Sequence, residues 1–435
     1  MENKSLSSLA ESIRKEQHIL YPAQTDVQST GQLEVNVTSF NTNVPIPDAV
    51  ISITTANNPT NIIEQIRTDS SGKSQTISLP TPPIDYSLEP SSEQPYSQYT
   101  LVVQSQGFEN VTINGAQLLP DVKAVQPIRM LPQSSQGTSQ EFTISPHTLF
   151  GDYPPKIAEA EIKPVDERGE VVLSKVVIPE FVVVHDGPPR DTSAANYYVR
   201  YRDYIANVAS SEIYATWPEA TIYANILAIM SFTLNRVYTE WYRNQGYTFT
   251  ITTSTAYDHK FIPGKNSFEN INALVDNVFA NYLSRPNVKQ PILTQYCDGQ
   301  NVQCPNWMTQ WGSKYLGDQG YSAIEILRYF YGDSIYINSA EEISGVPSSW
   351  PGSNLNIGSQ GDKVRQMQEQ LNRISDNYPL IPKIAVDGVY GSGTANAVRI
   401  FQRIFNLPQT GVVDFATWYK ISQIYVGVSR IAELV

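Results

Sequence analysis

The chain has 435 residues, 41% hydrophobic and 17% charged, which suits about two to four folded domains and excludes a disordered chain. Thirty Lys and Arg stand against 42 Asp and Glu, a net charge of −12. That balance excludes the basic footprint nucleic acid demands and argues equally against an anionic membrane surface.

Residues 1–30 read as a short polar helix and linker, with Leu6, Leu9, Ile13 and Leu20 spaced among Glu, Arg and Lys. No apolar core of a signal peptide occurs there, so neither secretory signal nor membrane span is expected. Residues 31–131 change character. Leu33, Val35 and Val37 alternate with polar residues, as do Val50–Thr54, and Tyr99–Val103 runs into Gly107-Phe108. Thr68-Asp69-Ser70-Ser71-Gly72-Lys73 is a turn, and prolines cluster at 80–95. The pattern predicts an all-β sandwich. Pro47-Asp48-Ala49 with Thr68-Asp69-Ser71-Gly72 resembles the prealbumin-like, carboxypeptidase-regulatory type of β-domain. It offers no acid/base constellation and reads as regulatory or structural. Residues 132–148, small, polar and rich in breakers, predict an exposed, protease-sensitive linker.

Residues 149–350 carry the chemistry. Val176–His185 is strand-like and ends at Asp186-Gly187-Pro188-Pro189. Glu212 falls in the loop or short turn that feeds the next helix. Trp217-Pro218-Glu219 is a helix start, since proline suits the first turn and an acid there complements the dipole. From Ala220 to Trp241 the run is apolar on nearly every face, which predicts a buried central helix. Asn225, Asn235 and Arg236 interrupt it, so it is not a membrane span. Tyr247–Ile251 alternates as a strand into Thr252–His259, and Phe268–Leu283 is helix-like. Cys297 and Cys304 are the only cysteines. Their spacing can close a small disulfide loop; zinc is the other choice, with His259 and Asp298 as further ligands. No phosphate loop, Gly-x-Ser-x-Gly elbow or His-Glu-x-x-His occurs.

Residues 351–435 begin with a breaker-rich linker. Gly361–Asn372 is one amphipathic helix, a second holds Ala397, Val398, Phe401 and Gln402, and Thr417-Trp418 opens a third. Asp387-Gly388 and Thr410-Gly411 are the turns between them. This segment resembles the three-helix peptidoglycan-binding domain type 1.

Two blocks resemble the catalytic domain of the stage II sporulation protein D family, and more closely SleC-type spore cortex-lytic enzymes. One is Ser211-Glu212-Ile213-Tyr214 with Trp217-Pro218-Glu219-Ala220, Ala224-Asn225 and Leu234–Glu240. The other is Gln310-Trp311-Gly312, Gly320-Tyr321-Ser322 and Ile326-Leu327 followed by Tyr331-Gly332. The resemblance implies that Glu212 is the catalytic acid of a lytic transglycosylase that cuts cortex peptidoglycan during germination. It implies a zymogen whose N-terminal region a serine protease removes. It also implies a spore location in the cortex or coat region. Related domains hold zinc with His and Cys, so the cysteine alternatives stay open.

One glutamate suffices for that reaction. It protonates the departing glycosidic oxygen, then takes the proton of the muramic acid 6-hydroxyl as this attacks the anomeric carbon. A 1,6-anhydro ring results. Burial against Tyr214 or Trp217 is the expected means of keeping Glu212 acidic. Glu219, Glu240 and Asp258 are rivals, the first two more simply explained as helix-start and helix-face residues. Tyr201, Tyr214, Trp217, Ser254, Tyr257, Asp258, Gln310 and Trp311 are the candidate substrate-binding residues. No cofactor or metal is required. The alternatives are a non-catalytic wall-binding or coat scaffold, or a muramidase that hydrolyses the same bond with two carboxylates. The expected fold is multidomain α+β: an N-terminal all-β sandwich, a mixed α+β catalytic domain with a buried central helix, and a C-terminal three-helix domain.

Overall fold

The computed structural model describes residues 29–40, 44–91, 93–133, 139–149, 154–163, 173–340, 342–344, 351 and 353–429. The polar helix expected in residues 1–30 therefore lies outside the described residues, apart from the start of the first strand.

The alternating patterns become strands β1 (Thr30–Ser39), β2 (Val50–Thr55), β3 (Asn58–Arg67), β4 (Ile77–Pro80), β5 (Ser97–Gln104), β6 (Val111–Leu118), β7 (Lys123–Met130) and β8 (Gln140–Thr143). A single helical turn, α1 (Asp85–Leu88), falls in the proline-rich loop. One sheet runs β7-β1-β4 and the other β3-β2-β5-β6-β8. Leu33, Val35 and Val37 from the first and Ile51, Ile53, Leu101 and Val103 from the second are all fully buried. Each such side chain stabilises the fold by roughly 1.5–3 kcal/mol through removal from water. The segment 132–148 differs from a free linker: β8 pairs in parallel with β6 from Val111↔Gln140 to Asn114↔Thr143. Glu141, Phe142 and Ile144 supply the period-two pattern that the composition of the stretch hid, and Ile144 is 2% exposed.

Next come β9 (Val177–Ile178), β10 (Phe181–His185), β11 (Asn196–Arg200), α2 (Tyr201–Glu212), α3 (Glu219–Tyr238), β12 (Ile251–Thr252), β13 (Ser267–Phe268), α4 (Glu269–Val278), β14 (Asn281–Ser284), β15 (Tyr296–Cys297), β16 (Met308–Thr309), α5 (Gln310–Asp318), α6 (Ala323–Tyr331) and β17 (Tyr336–Ser339). Helix α3 starts at Glu219 behind Pro218 and buries sixteen of its twenty residues. It packs against α2, α4, α5, α6 and β14, which explains an apolar surface on every side. Two expectations shorten. The strand at 247–251 reduces to Ile251–Thr252 because Tyr247 and Phe249 turn into a local aromatic cluster with Tyr242. The helix at 268–283 stops at Val278, and residues 281–284 pair with 336–339 instead.

β13 adds to the first sheet beside β7, at Ser267↔Val125 and Phe268↔Ala124. One continuous apolar cluster accordingly runs from Leu33 through the central helix to Ile335.

The C-terminal helices are α7 (Asp362–Ser375), α8 (Ser392–Ile404) and α9 (Phe415–Ser429), around a separate core that includes Val364, Leu371, Val398, Phe401 and Trp418. An internal repeat holds it together. The buried Gln368 carbonyl accepts from the Gly388 N–H at 2.8 Å, and its amide donates to the Val389 carbonyl at 3.0 Å. Gln402 repeats this at Gly411 (2.8 Å) and Val412 (2.9 Å). Gly388 and Gly411 have φ of 75° and 69°, where only glycine sits without strain.

Candidate active site around Glu212

Glu212 is the last residue of α2, not a loop residue, and is 8% exposed. The end of a helix leaves carbonyl groups without intrahelical partners. Here three side chains from three distant segments meet three successive carbonyls. Lys265 Nζ donates to the Ser210 carbonyl at 2.6 Å. His147 Nε2 lies 3.3 Å from the Ser211 carbonyl. Gln310 Nε2 donates to the Glu212 carbonyl at 2.7 Å. The same Gln310 nitrogen donates to Glu212 Oε2 at 2.9 Å, and the Lys260 N–H donates to Oε1 at 2.7 Å. The carboxylate is thus fixed by two neutral amide donors and forms no salt bridge among the described residues.

Tyr296 supplies the phenol beside this carboxylate. Burial holds its proton tightly, and the Glu212 charge reinforces the effect. The ring stacks with the His259 imidazole at 5.7 Å and lies under Lys156, whose Nζ is 4.9 Å from the ring centre. His259 bonds the Tyr204 hydroxyl at 3.1 Å, and burial, then Lys156 and Arg236, push it far below its ordinary pKa, so it is neutral. Lys156 is lowered by burial, partly offset by Glu212, Asp258 and Asp298. Neither Tyr296 nor Lys156 was singled out from the sequence. Tyr296 stands one residue before a cysteine, the only local signal that could have drawn attention to it.

The loop that carries Tyr296 is closed at its base. Cys297 and Cys304 form a disulfide with Cα atoms 6.1 Å apart. With the two sulfurs bonded to each other, neither is a thiolate ligand, so the zinc alternative falls. Tyr296 and Cys297 pair with Met308 and Thr309, immediately before Gln310. Gly299, at φ 79°, completes the turn where a Cβ would meet the Thr309 side chain at 2.5 Å. The disulfide loop therefore sets Tyr296 and Gln310 side by side around Glu212.

Of the other candidates, Tyr214, Trp217 and Trp311 form one ring cluster, with centres 5.7, 6.2 and 5.0 Å apart. All three are nearly buried, and Trp217 Nε1 donates to the Ser87 carbonyl at 2.8 Å, so this cluster packs the α2–α3 turn against the sandwich. Ser254 and Tyr257 lie partly exposed on the loop that continues to Lys260. Two placements are corrected. Tyr201 sits at the opposite end of α2, about 16 Å from Glu212 at 1.5 Å per residue, and lines a cavity with Arg202, Asp276 and Lys420. Asp258 is completely buried and saturated. It accepts from Arg236 Nε at 2.8 Å, the Tyr242 hydroxyl at 2.6 Å, and the Thr252 N–H and hydroxyl at 2.9 and 2.8 Å. Its chemistry is spent on holding Arg236, which also pairs with Glu159. Glu219 is an exposed helix-start residue, and Glu240 follows the helix and pairs with Arg243.

The three-helix unit is anchored to both preceding parts. Lys420 and Arg202 share Asp276, and Phe279 packs on Phe415 and Tyr419. Asn406 accepts from Lys73 at 2.7 Å and donates to Glu34 at 3.2 Å. Among the described residues, no helix is long and apolar enough to cross a membrane.

Residues 360–421 match the family model described as "Putative peptidoglycan binding domain". The C-terminal helices thus match a peptidoglycan-binding domain, which supports peptidoglycan as a partner of the chain. No curated protein matches. Among solved structures the chain is similar to the SleB N-terminal domain, at 28% identity over 18% of this chain and 99% of that one, with a TM-score of 0.16. It is also similar to GBS52, the minor pilin of Streptococcus agalactiae, at 15% identity over 25% and 47% of the two chains, with a TM-score of 0.18. A third is catechol 1,2-dioxygenase from Acinetobacter radioresistens, at 16% identity over 29% and 58%, with a TM-score of 0.19. The chain spans about half the length of these last two.

Proposed function

We propose that this chain is a spore cortex-lytic transglycosylase in which Glu212 is the sole acid and base, made as a zymogen and acting in the cortex or coat region of the spore. The observation that carries the reading is the Glu212 carboxylate itself. It is almost fully buried at a rigid helix end, held by amide donors rather than by a cation, in a chain that ends in a peptidoglycan-binding module. In the reaction Glu212 gives its proton to the oxygen leaving the muramic acid anomeric carbon. It then receives the proton of that sugar's 6-hydroxyl as the 1,6-anhydro ring closes. Tyr296 keeps its phenol protonated beside the carboxylate, and so adds a neutral donor rather than a competing charge.

A hydrolysing muramidase needs a second carboxylate free to activate water. The two other acids around Lys156 are committed elsewhere. Asp258 is saturated, and Asp298 accepts from the Asn301 and Val302 N–H groups at 3.0 and 2.9 Å. This supports ring closure over hydrolysis. The zymogen reading draws support from the grip of the sandwich on the helix that carries Glu212. Tyr96 bonds both the carbonyl (2.6 Å) and the N–H (2.8 Å) of His147, which in turn reaches the Ser211 carbonyl.

The test is mass spectrometry of decoated spores digested with full-length and N-terminally trimmed protein. Anhydro-muramic ends are expected, stronger after trimming, and lost in Glu212→Gln. Reducing ends would make the chain a muramidase, and no new ends would make it a scaffold.

A further inference from the structure

We infer that Gln310 is a positioning residue for Glu212 and does not bind the glycan through its amide nitrogen; this rests on the reading of Glu212 as the catalytic acid. The amide nitrogen carries two hydrogens. One is given to the Glu212 carbonyl at 2.7 Å and the other to Glu212 Oε2 at 2.9 Å. One side chain therefore fixes the main chain and the carboxylate of the same residue, and its donors are used up.

Gln310 is itself held by the central helix. Its main-chain carbonyl accepts from the Ser313 hydroxyl at 2.6 Å, and Asn225 Nδ2 donates to that hydroxyl at 2.8 Å. Thr221, one turn earlier on α3, bonds the Ser313 carbonyl at 3.2 Å. Gln310, Ser313 and Asn225 are all buried. A polar side chain in an apolar helix is costly unless its bonds are met. Asn225 meets them by anchoring the start of α5, and so relays the rigidity of α3 to the carboxylate. The buried asparagine that interrupts the apolar run of α3 thus has a role at the site. Gln310 opens α5 directly after β16, whose pairing with β15 fixes the same element from the other side.

The experiment uses soluble cortex glycan fragments and the full chain, trimmed wherever trimming activates it. Gln310→Met keeps the volume and removes both donors. Expected is a fall in kcat of about 100-fold, the cost of a carboxylate free to move by about an ångström, with KM within twofold of the parent. Gln310→Glu keeps the shape but sets a second carboxyl against the first. Its protonated form can donate one of the lost bonds, so its loss of activity shrinks at least tenfold between pH 8 and pH 5 relative to the parent. Circular dichroism confirms that each variant is folded, and Ser313→Ala, further from the carboxylate, repeats the kcat effect more weakly. A Gln310→Met protein with parental kcat, or one whose KM rises while kcat holds, overturns the proposal and leaves the reading of Glu212 standing. A Glu212→Gln protein that cleaves glycan normally overturns both.

Discussion

Lys265 offers a quantitative check on how the end of the Glu212 helix is held. It is 3% exposed, and its recorded bond goes to the neutral Ser210 carbonyl. Burial alone lowers its pKa from 10.5 to about 7. A lysine lowered in the folded state binds more protons when unfolded, so stability rises with pH between about 7 and 10.5 and is lost as pH falls through that window. At 1.36 kcal/mol per pH unit the full penalty below the folded pKa is about 5 kcal/mol, and about 2 kcal/mol of it survives at pH 9. Lys265→Met removes the penalty and also the Ser210 bond of the neutral amine, a loss of roughly 0.5–1.5 kcal/mol at any pH. The substitution is therefore strongly stabilising near pH 6 and only slightly so at pH 9, and the two values differ by about 2–3 kcal/mol. Urea unfolding of parent and variant at both pH values measures this difference, and contributions common to both proteins cancel. Equal effects at pH 6 and pH 9, to within about 0.5 kcal/mol, would show that the ammonium is not desolvated in the folded protein.

Asp258→Ala leaves the Arg236 guanidinium in the core without one of its two carboxylates. Stability falls by about 3–5 kcal/mol, visible as a large drop in thermal midpoint. A variant that unfolds like the parent yet loses glycan affinity would return Asp258 to the substrate. Replacing Cys297 and Cys304 by serine costs about 2–3 kcal/mol for the opened loop. It should also lower kcat, because Tyr296 and Gln310 flank that loop; unchanged turnover would separate the loop from the site. Gln402→Leu leaves the Gly411 N–H unpaired in the C-terminal module and the Val412 carbonyl with the Thr410 hydroxyl at 3.4 Å, at about 1–3 kcal/mol. Pull-down on insoluble peptidoglycan should weaken as that module unfolds, and parental stability would contradict the shared-turn account. After a single cut between Gln133 and Gln140 the two fragments should co-elute on size exclusion, since the β7–β13 pairing and the Trp217–Ser87 bond survive it. Spontaneous separation would show that the shared core is weaker than its burial implies.

Much of this arrangement was legible in the residues. Leu33, Val35 and Val37 gave the sandwich its inner face, and an apolar run with no polar side could only be a helix surrounded by protein. Glu212 and Gln310 were visible as candidates, but their relation was not. They lie 98 positions apart, and only the pairing of β15 with β16 brings the start of α5 to the end of α2. Asp258 misled because its neighbours are polar and small, which reads as a cleft. The groups that enclose it, Arg236 and Tyr242, are 22 and 16 residues earlier. Lys156 and Tyr296 stayed hidden for the same reason: neither carries a local pattern, and their importance comes from packing alone.

The end of α2 shows why sequence distance and functional distance diverge here. A helix terminus must find partners for its last carbonyls, and solvent is the default. In this chain the partners are His147 from the segment that follows β8, Lys265 from the loop before β13, and Gln310 from behind the disulfide loop. The end of the Glu212 helix is therefore tied at once to the sandwich, to a buried lysine and to the disulfide loop. Removal of the sandwich takes away Tyr96 and Gln117, the groups that hold His147 by its main chain and ring. The Gln310 clamp is tied to α3 rather than to the sandwich and would remain. Removal of the sandwich is thus expected to free one side of the helix end while the Gln310 donor stays on the carboxylate, as the proposed zymogen requires.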